Sequence, residues 1–131
     1  MDILIITNNS LVNEKYNEKI DTMYLDEYTY LNILEFVRNR IHEGHRLLTH
    51  PLSGSIKPNE TPFKSIVIGK KKGNLDFDGL SIVEESIASA QKFIKGKATP
   101  LWAEKVKADF RLIDCSIITS AIQSMSGKYI G

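Results

Sequence analysis

HRLLTHPLSGSIKPNETPFKSIVIG, residues 45–69, is the stretch on which the fold turns. Its two ends read as strands. His45–Thr49 is a short run around Leu47 and Leu48, and Phe63–Gly69 carries the β-branched core Ile66-Val67-Ile68. About thirteen residues join them, and Pro51, Gly54, Pro58 and Pro62 exclude a helix there. A parallel crossover takes a dozen or more residues and is usually helical. The joining loop is just long enough for one, so the two strands either return antiparallel or stand parallel in one sheet.

Outward from this stretch the pattern alternates. Ile3–Ile6 is a continuous apolar run, as in a strand covered on both faces, and Thr7-Asn8-Asn9-Ser10 ends it with turn and cap residues. Leu11–Glu18 reads as a short helix capped by Asn9 or Ser10, and Ile20–Leu25 as a second strand ending at Asp26-Glu27. Tyr30–Glu43 is an amphipathic helix with Tyr30, Leu34, Val37 and Ile41 on one face and Gly44 where a left-handed residue ends it. Beyond Gly69 the chain is helical. One stripe runs through Leu80, Val83, Ile87, Ala90 and Ile94, with Ser81 and Glu84 at capping-box spacing. Thr99-Pro100 reads as a helix start, followed by an apolar face through Val106, Phe110, Ile113, Ile117 and Ala121 with a break near Asp109. This order predicts a single α/β domain over residues 1–131. The expected form is a three-layer, Rossmann-like fold: a mostly parallel four-stranded sheet, helices on both faces, and a helical C-terminal half. An antiparallel pairing of the last two strands is the alternative.

Charge narrows the functional classes. Seventeen basic and sixteen acidic side chains give a net charge of +1, so no general attraction to nucleic acid or anionic lipid is expected. The run Lys70–Lys72 has no interleaved aromatics and reads as a solvated turn. No apolar stretch approaches the ~20 residues of a membrane span, and the lone Cys115 sits among Leu112, Ile113, Ile117 and Ile118, as a buried, inert thiol does. The N-terminus lacks the basic region of a signal peptide, and a cytoplasmic location is expected.

The expected ligand-binding residues lie in two loops. Thr49–Pro62 is long, polar and held by three prolines, as a preorganised site or an ordered idle loop requires. Within it Ser53-Gly54-Ser55 has the makings of an anion nest, with Gly54 at positive φ, two hydroxyls and Lys57 as countercharge. A tight turn whose serines satisfy their own backbone is the alternative there. Thr49, His50, Asn59, Glu60 and Thr61 complete that wall, and Thr7, Asn8 and Asn9 join it if both loops leave the carboxyl edge of the sheet. The ligand expected is a small anion or metabolite. Neither a P-loop nor a dinucleotide fingerprint is present, so no cofactor is expected. His42, His45 and His50 lack a second ligand cluster, so no metal is expected either. His50 is the one acid–base candidate, and with Ser53 or Ser55 and Glu60 it has the residue types, though not the demonstrated geometry, of a triad.

At LLTHPLSGSIKPNETPFKSI (47–66), with IITNN (5–9), GHRLLTHPLSGS (44–55) and VEESIASAQKF (83–93), the chain resembles the GrdX family, small proteins associated with the glycine reductase gene clusters of amino-acid-fermenting anaerobic bacteria. The resemblance implies an accessory protein of reductive glycine metabolism with no catalytic residues assigned, touching the reductase components or their acyl-phosphate product. Three functions stand side by side: a small-anion-binding accessory protein, an assembly factor for glycine reductase components, and a small enzyme acting on a phosphate ester or acyl phosphate. With one cysteine the chain has no Cys pair to carry electrons.

Overall fold

The computed structural model describes residues 2–54 and 56–125. Chain order is β1 (Ile3–Thr7), α1 (Ser10–Tyr16), β2 (Asp21–Tyr24), α2 (Tyr30–His42), β3 (Ser65–Gly69), α3 (Phe77–Gly96) and α4 (Glu104–Met125). The sheet has three strands in the order β2-β1-β3. β1 and β2 run parallel, with Ile5 opposite Thr22, and β1 and β3 run antiparallel, with Ile5 opposite Val67.

The mostly parallel, four-stranded, Rossmann-like sheet is therefore wrong: the sheet is small and mixed. The loop 50–62 provides the reason. It folds into local turns, with Ser53 N–H on His50 O and Glu60 N–H on Lys57 O, rather than crossing the sheet. The chain so re-enters at the edge it left, and the next strand must run back against β1. His45–Thr49 does lie antiparallel to β3, with Leu48 N–H on Val67 O and Gly69 N–H on Arg46 O, but it closes one bridge only, Leu47 to Ile68. Side chains take over where a ladder would continue. Thr49 Oγ1 accepts from Val67 N at 3.0 Å, and Asp76 Oδ2 accepts from Leu47 N at 3.0 Å.

The strand period of two sorts β1 between two cores. Ile3 and Ile5 join Val67 against α1 and α4, through Val12, Tyr16, Ile118 and Ile122. Ile6 joins Ile66 and Ile68 against α2 and α3, through Leu34, Val37, Val83 and Ile87. Helices thus cover both faces. Asn9 caps α1 by accepting from Leu11 N. Gly44, at φ 107°, turns the chain out of α2 beside Gly73, where a Cβ would meet Gly73 O at 2.5 Å. Two helix starts differ from expectation. Asp76 rather than Ser81 caps the third helix, accepting from Gly79 N, because the helix begins a turn earlier at Phe77. The last helix starts at Glu104, after Thr99-Pro100, and runs unbroken past Asp109.

Candidate functional site

Because β3 runs against β1, its first residues sit beside the last residues of β1, and α4 crosses the same edge. A ring of hydrogen bonds closes there. Asn9 N–H donates to Thr7 Oγ1 (2.9 Å), the Thr7 and Ser65 hydroxyls bond at 2.7 Å, Ser65 Oγ donates to Asp114 Oδ2 (2.7 Å), and Asn9 Nδ2 donates to the same oxygen (3.0 Å). Asn9 also donates to Arg111 O at 2.9 Å, which ties α4 to the end of β1. All four ring residues are buried, so the ring satisfies groups that would otherwise cost about 1–3 kcal/mol each. Burial pushes the Asp114 carboxyl above its ordinary range, against the pull of Asn9, Ser65 and the Lys64 charge.

Asn8 pins three segments together. Its Nδ2 donates to Tyr28 O (2.8 Å) and Pro62 O (2.9 Å), and its Oδ1 accepts from Lys64 N (2.8 Å). Lys64 itself is 4% exposed. Its Nζ lies 5.7 Å from the centroid of the Tyr30 ring and, among the described residues, has no carboxylate within 4.0 Å. Burial brings its ammonium down to about 8, with the Asp114 charge opposing.

Two spaces open at this edge. The larger, about 530 Å³, lies between the first turn of α2, the Pro62-Phe63 strand entry and α4. Tyr28, Tyr30, Leu31, Phe63 and Ile94 make its walls largely apolar; Asn8 and Asp26 add polar groups, and Lys107 and Arg111 supply positive charge. The Arg111 guanidinium lies 4.9 Å from the Phe63 ring centroid and pairs through Nη1 with Glu104 at 2.6 Å. That contact holds the exposed Glu104 carboxyl below its ordinary range. Thr29 caps α2 reciprocally with Asn32, at 3.1 Å each way, which leaves the Tyr30 and Leu31 N–H groups at the positive end of the helix. The smaller space is a slot of about 20 Å³ between Lys64, Asp114, Ser53, Thr61 and Ile117. Tyr30 and Phe63 line both.

The sequence-expected residues divide sharply. Thr7 and Asn9 serve the buried ring, and Asn8 alone of the expected set lines the larger cavity. Ser53 and Thr61 line the slot, so the 49–62 loop covers Lys64 and Asp114. The others hold the loop itself. Thr49 is buried on Val67 N, and exposed His50 accepts from Leu52 N through Nδ1 at 3.1 Å. Asn59 Nδ2 donates to Lys97 O (3.1 Å), and Glu60 O accepts from Trp102 Nε1 (2.7 Å). Gly54 has φ 96° and faces Ile117, Lys57 is exposed, and Ser55 lies outside the described residues. Among the described residues no group of three His, Cys, Asp or Glu is placed to hold a metal. No described helix is long and apolar enough to cross a membrane.

Sequence reading missed Lys64, Lys107, Arg111 and Asp114, although two signals were present. Lys64 shares the period-two face of Ile66 and Ile68, and Asp114 shares the period-four face of Ile118 and Ile122. A charge on a core face is the mark of a buried ionisable group. Among known proteins, a family model described as GrdX-like protein matches residues 4–123. No curated protein and no solved structure matches the chain.

Proposed function

The chain belongs to the GrdX-like protein family, and we propose that it binds a small anionic metabolite in the 530 Å³ cavity, as a cytoplasmic accessory protein of reductive glycine metabolism. The carrying observation is the cavity itself, where Lys107, Arg111 and the first turn of α2 meet an apolar, aromatic wall. Such a lining suits a ligand with a compact apolar body and one carboxylate or phosphate, which Arg111 can take in two parallel hydrogen bonds. The binding residues of this reading are Asn8, Thr29 to Leu31, Lys107 and Arg111. Ser53 and Thr61 act in it only through the loop that covers the slot.

The test is a thermal-shift and calorimetry series with inorganic phosphate, acetyl phosphate, glycine and small carboxylates, comparing the natural chain with an Arg111→Ala, Lys107→Ala variant. A ligand at 100 times its dissociation constant stabilises the natural chain by about 2.7 kcal/mol. The variant should lose that gain while melting normally without ligand. Equal stabilisation of both chains by every anion removes the cavity from consideration.

One observation favours a partner-binding reading beside this one. Leu101 is fully exposed, and Leu112 and Ile113 on α4 are 60% and 39% exposed. An assembly factor for glycine reductase components would use such residues, and a Leu101→Ser, Leu112→Ser variant would then stop co-purifying with the reductase. No contact favours the enzyme reading through His50, which lines neither cavity.

A further inference from the structure

Lys64 is the buried group that anion binding leaves unused. A lysine this enclosed ordinarily has a carboxylate partner, because an ammonium out of water is costly. Among the described residues Lys64 has none within 4.0 Å; its nitrogen lies over the Tyr30 ring in a slot that also holds Asp114. Burial there disfavours the charged amine, against the pull of the Asp114 charge, and favours the neutral, nucleophilic one. The slot is also next to the larger cavity. Tyr30 and Phe63 line both spaces, and Phe63, whose ring lies under the Arg111 guanidinium, is half-buried rather than locked in the core. Phe63 thus stands between the two spaces, with Arg111 lining one and Lys64 the other, and joining them requires its ring to turn aside.

We propose that Lys64 captures the carbonyl carbon of a small oxo acid as an imine, while Arg111 and Lys107 hold that molecule's carboxylate in the cavity. The inference deepens the anion-binding reading and rests on it. The step balances without an oxidant or reductant. The neutral Lys64 nitrogen attacks the carbonyl carbon and forms the C–N bond, and a proton passes from nitrogen to the carbonyl oxygen. The C–O bond then breaks, a second proton leaves the nitrogen, and water departs. Asp114, the carboxyl group in the slot, relays these protons. The ring of Asn9, Thr7 and Ser65 fixes its position. Thr61, buried in the covering loop, shields the slot from bulk water, which would return the imine to amine and carbonyl.

The amine supports a chemical test. With its ammonium near 8 in place of the usual 10.5, Lys64 holds roughly 300-fold more free amine at pH 7 than an exposed lysine. The folded natural chain is incubated at pH 7 with limiting glyoxylate and sodium cyanoborohydride, which reduces any imine to a stable carboxymethyl amine. Peptide mapping then locates the adduct. The expected result is modification at Lys64 ahead of all surface lysines, lost from that peptide in Lys64→Arg and Lys64→Met. Acetaldehyde, lacking the carboxylate, should label Lys64 more slowly, and Arg111→Ala should slow glyoxylate labelling to the acetaldehyde rate. Labelling spread over surface lysines with Lys64 unmodified overturns the inference; if phosphate still stabilises that chain, the anion-binding reading survives alone. Lys64 labelled equally fast in Arg111→Ala overturns the anchoring and, with it, the cavity as the anion site. The mapping uses the natural chain, so its result holds even where a Lys64 variant fails to fold.

Discussion

Replacing Lys64 with Met tests the buried ammonium through stability alone. Met is close to lysine in length and leaves the slot filled without a charge. In the natural chain the Lys64 ammonium titrates near 8 when folded and near 10.5 when unfolded, because burial penalises the charged form. The folded value is depressed, so between those two values the unfolded chain binds the extra proton. Stability from this group is therefore present above 10.5 and is lost as the pH falls through 8. The full difference of about 2.5 pH units corresponds to about 3 kcal/mol, and the part gained between pH 7 and pH 9.5 is about 2 kcal/mol. At 4% exposure Lys64 needs little discount for solvent screening. Urea unfolding of both chains at pH 7, 8, 9 and 9.5 measures it. Lys64→Met should be the more stable at pH 7, and the natural chain should close the gap by about 2 kcal/mol at pH 9.5. Tyr30, whose phenol burial raises, and the surface lysines are common to both chains and cancel in the difference. Two parallel stability curves would refute the argument, because an ammonium whose slot has not shifted its protonation cannot be the poised amine beside the cavity.

Asp114 gives the opposite sign. Its folded carboxyl lies above the unfolded value of 3.8, so its contribution is fully present below that value and is lost as pH rises through the folded one. Relative to Asp114→Asn, the natural chain should gain stability as pH falls from neutral towards 4, and a relative loss there counts against a desolvated Asp114. Asp114→Ala should cost about 2 kcal/mol in urea unfolding at neutral pH, and more towards pH 4, since Ser65 Oγ loses its acceptor and Asn9 Nδ2 loses one of two. The two left-handed glycines should differ in kind. At Gly54 a Cβ meets Ile117 Cδ1, the movable tip of a side chain, and Ala there should cost about 1 kcal/mol for its positive φ. At Gly44 a Cβ meets the Gly73 backbone as well, so Gly44→Ala should cost about 3 kcal/mol in the same assay, and the reverse order would contradict the packing described.

What the sequence made legible follows from what is local. β1, β2, α1 and α2 announce themselves because Ile3–Ile6 and the Tyr30–Ile41 stripe are set by nearest neighbours and a single period. The fourth strand did not survive because the competition there is between a backbone ladder and side chains far along the chain. Nothing near Leu47 signals that Asp76, twenty-nine positions on, takes its N–H. The site divides the same way. Turn chemistry pointed to Thr49–Pro62, and that loop does reach the edge where Asn8 and Asn9 stand, since Asn8 bonds Pro62 O. Yet its polar side chains mostly satisfy their own backbone or the junction of α3 and α4, and such bonds leave the same composition as a binding loop. The charges at the cavity and slot come from elements that read as structural. Lys64 and Asp114 differ from ordinary surface charges only by lying in phase with isoleucines, Lys64 two residues before Ile66 and Asp114 four before Ile118. A charge in phase with a core stripe has to be solvated by something inside the protein. For Asp114 that is the hydrogen-bonded ring; for Lys64 it is the face of the Tyr30 ring and the Asp114 charge across the slot, with no carboxylate within 4.0 Å among the described residues. This difference between two buried charges lining one slot is the reason the proposed imine is placed on the lysine rather than on the loop.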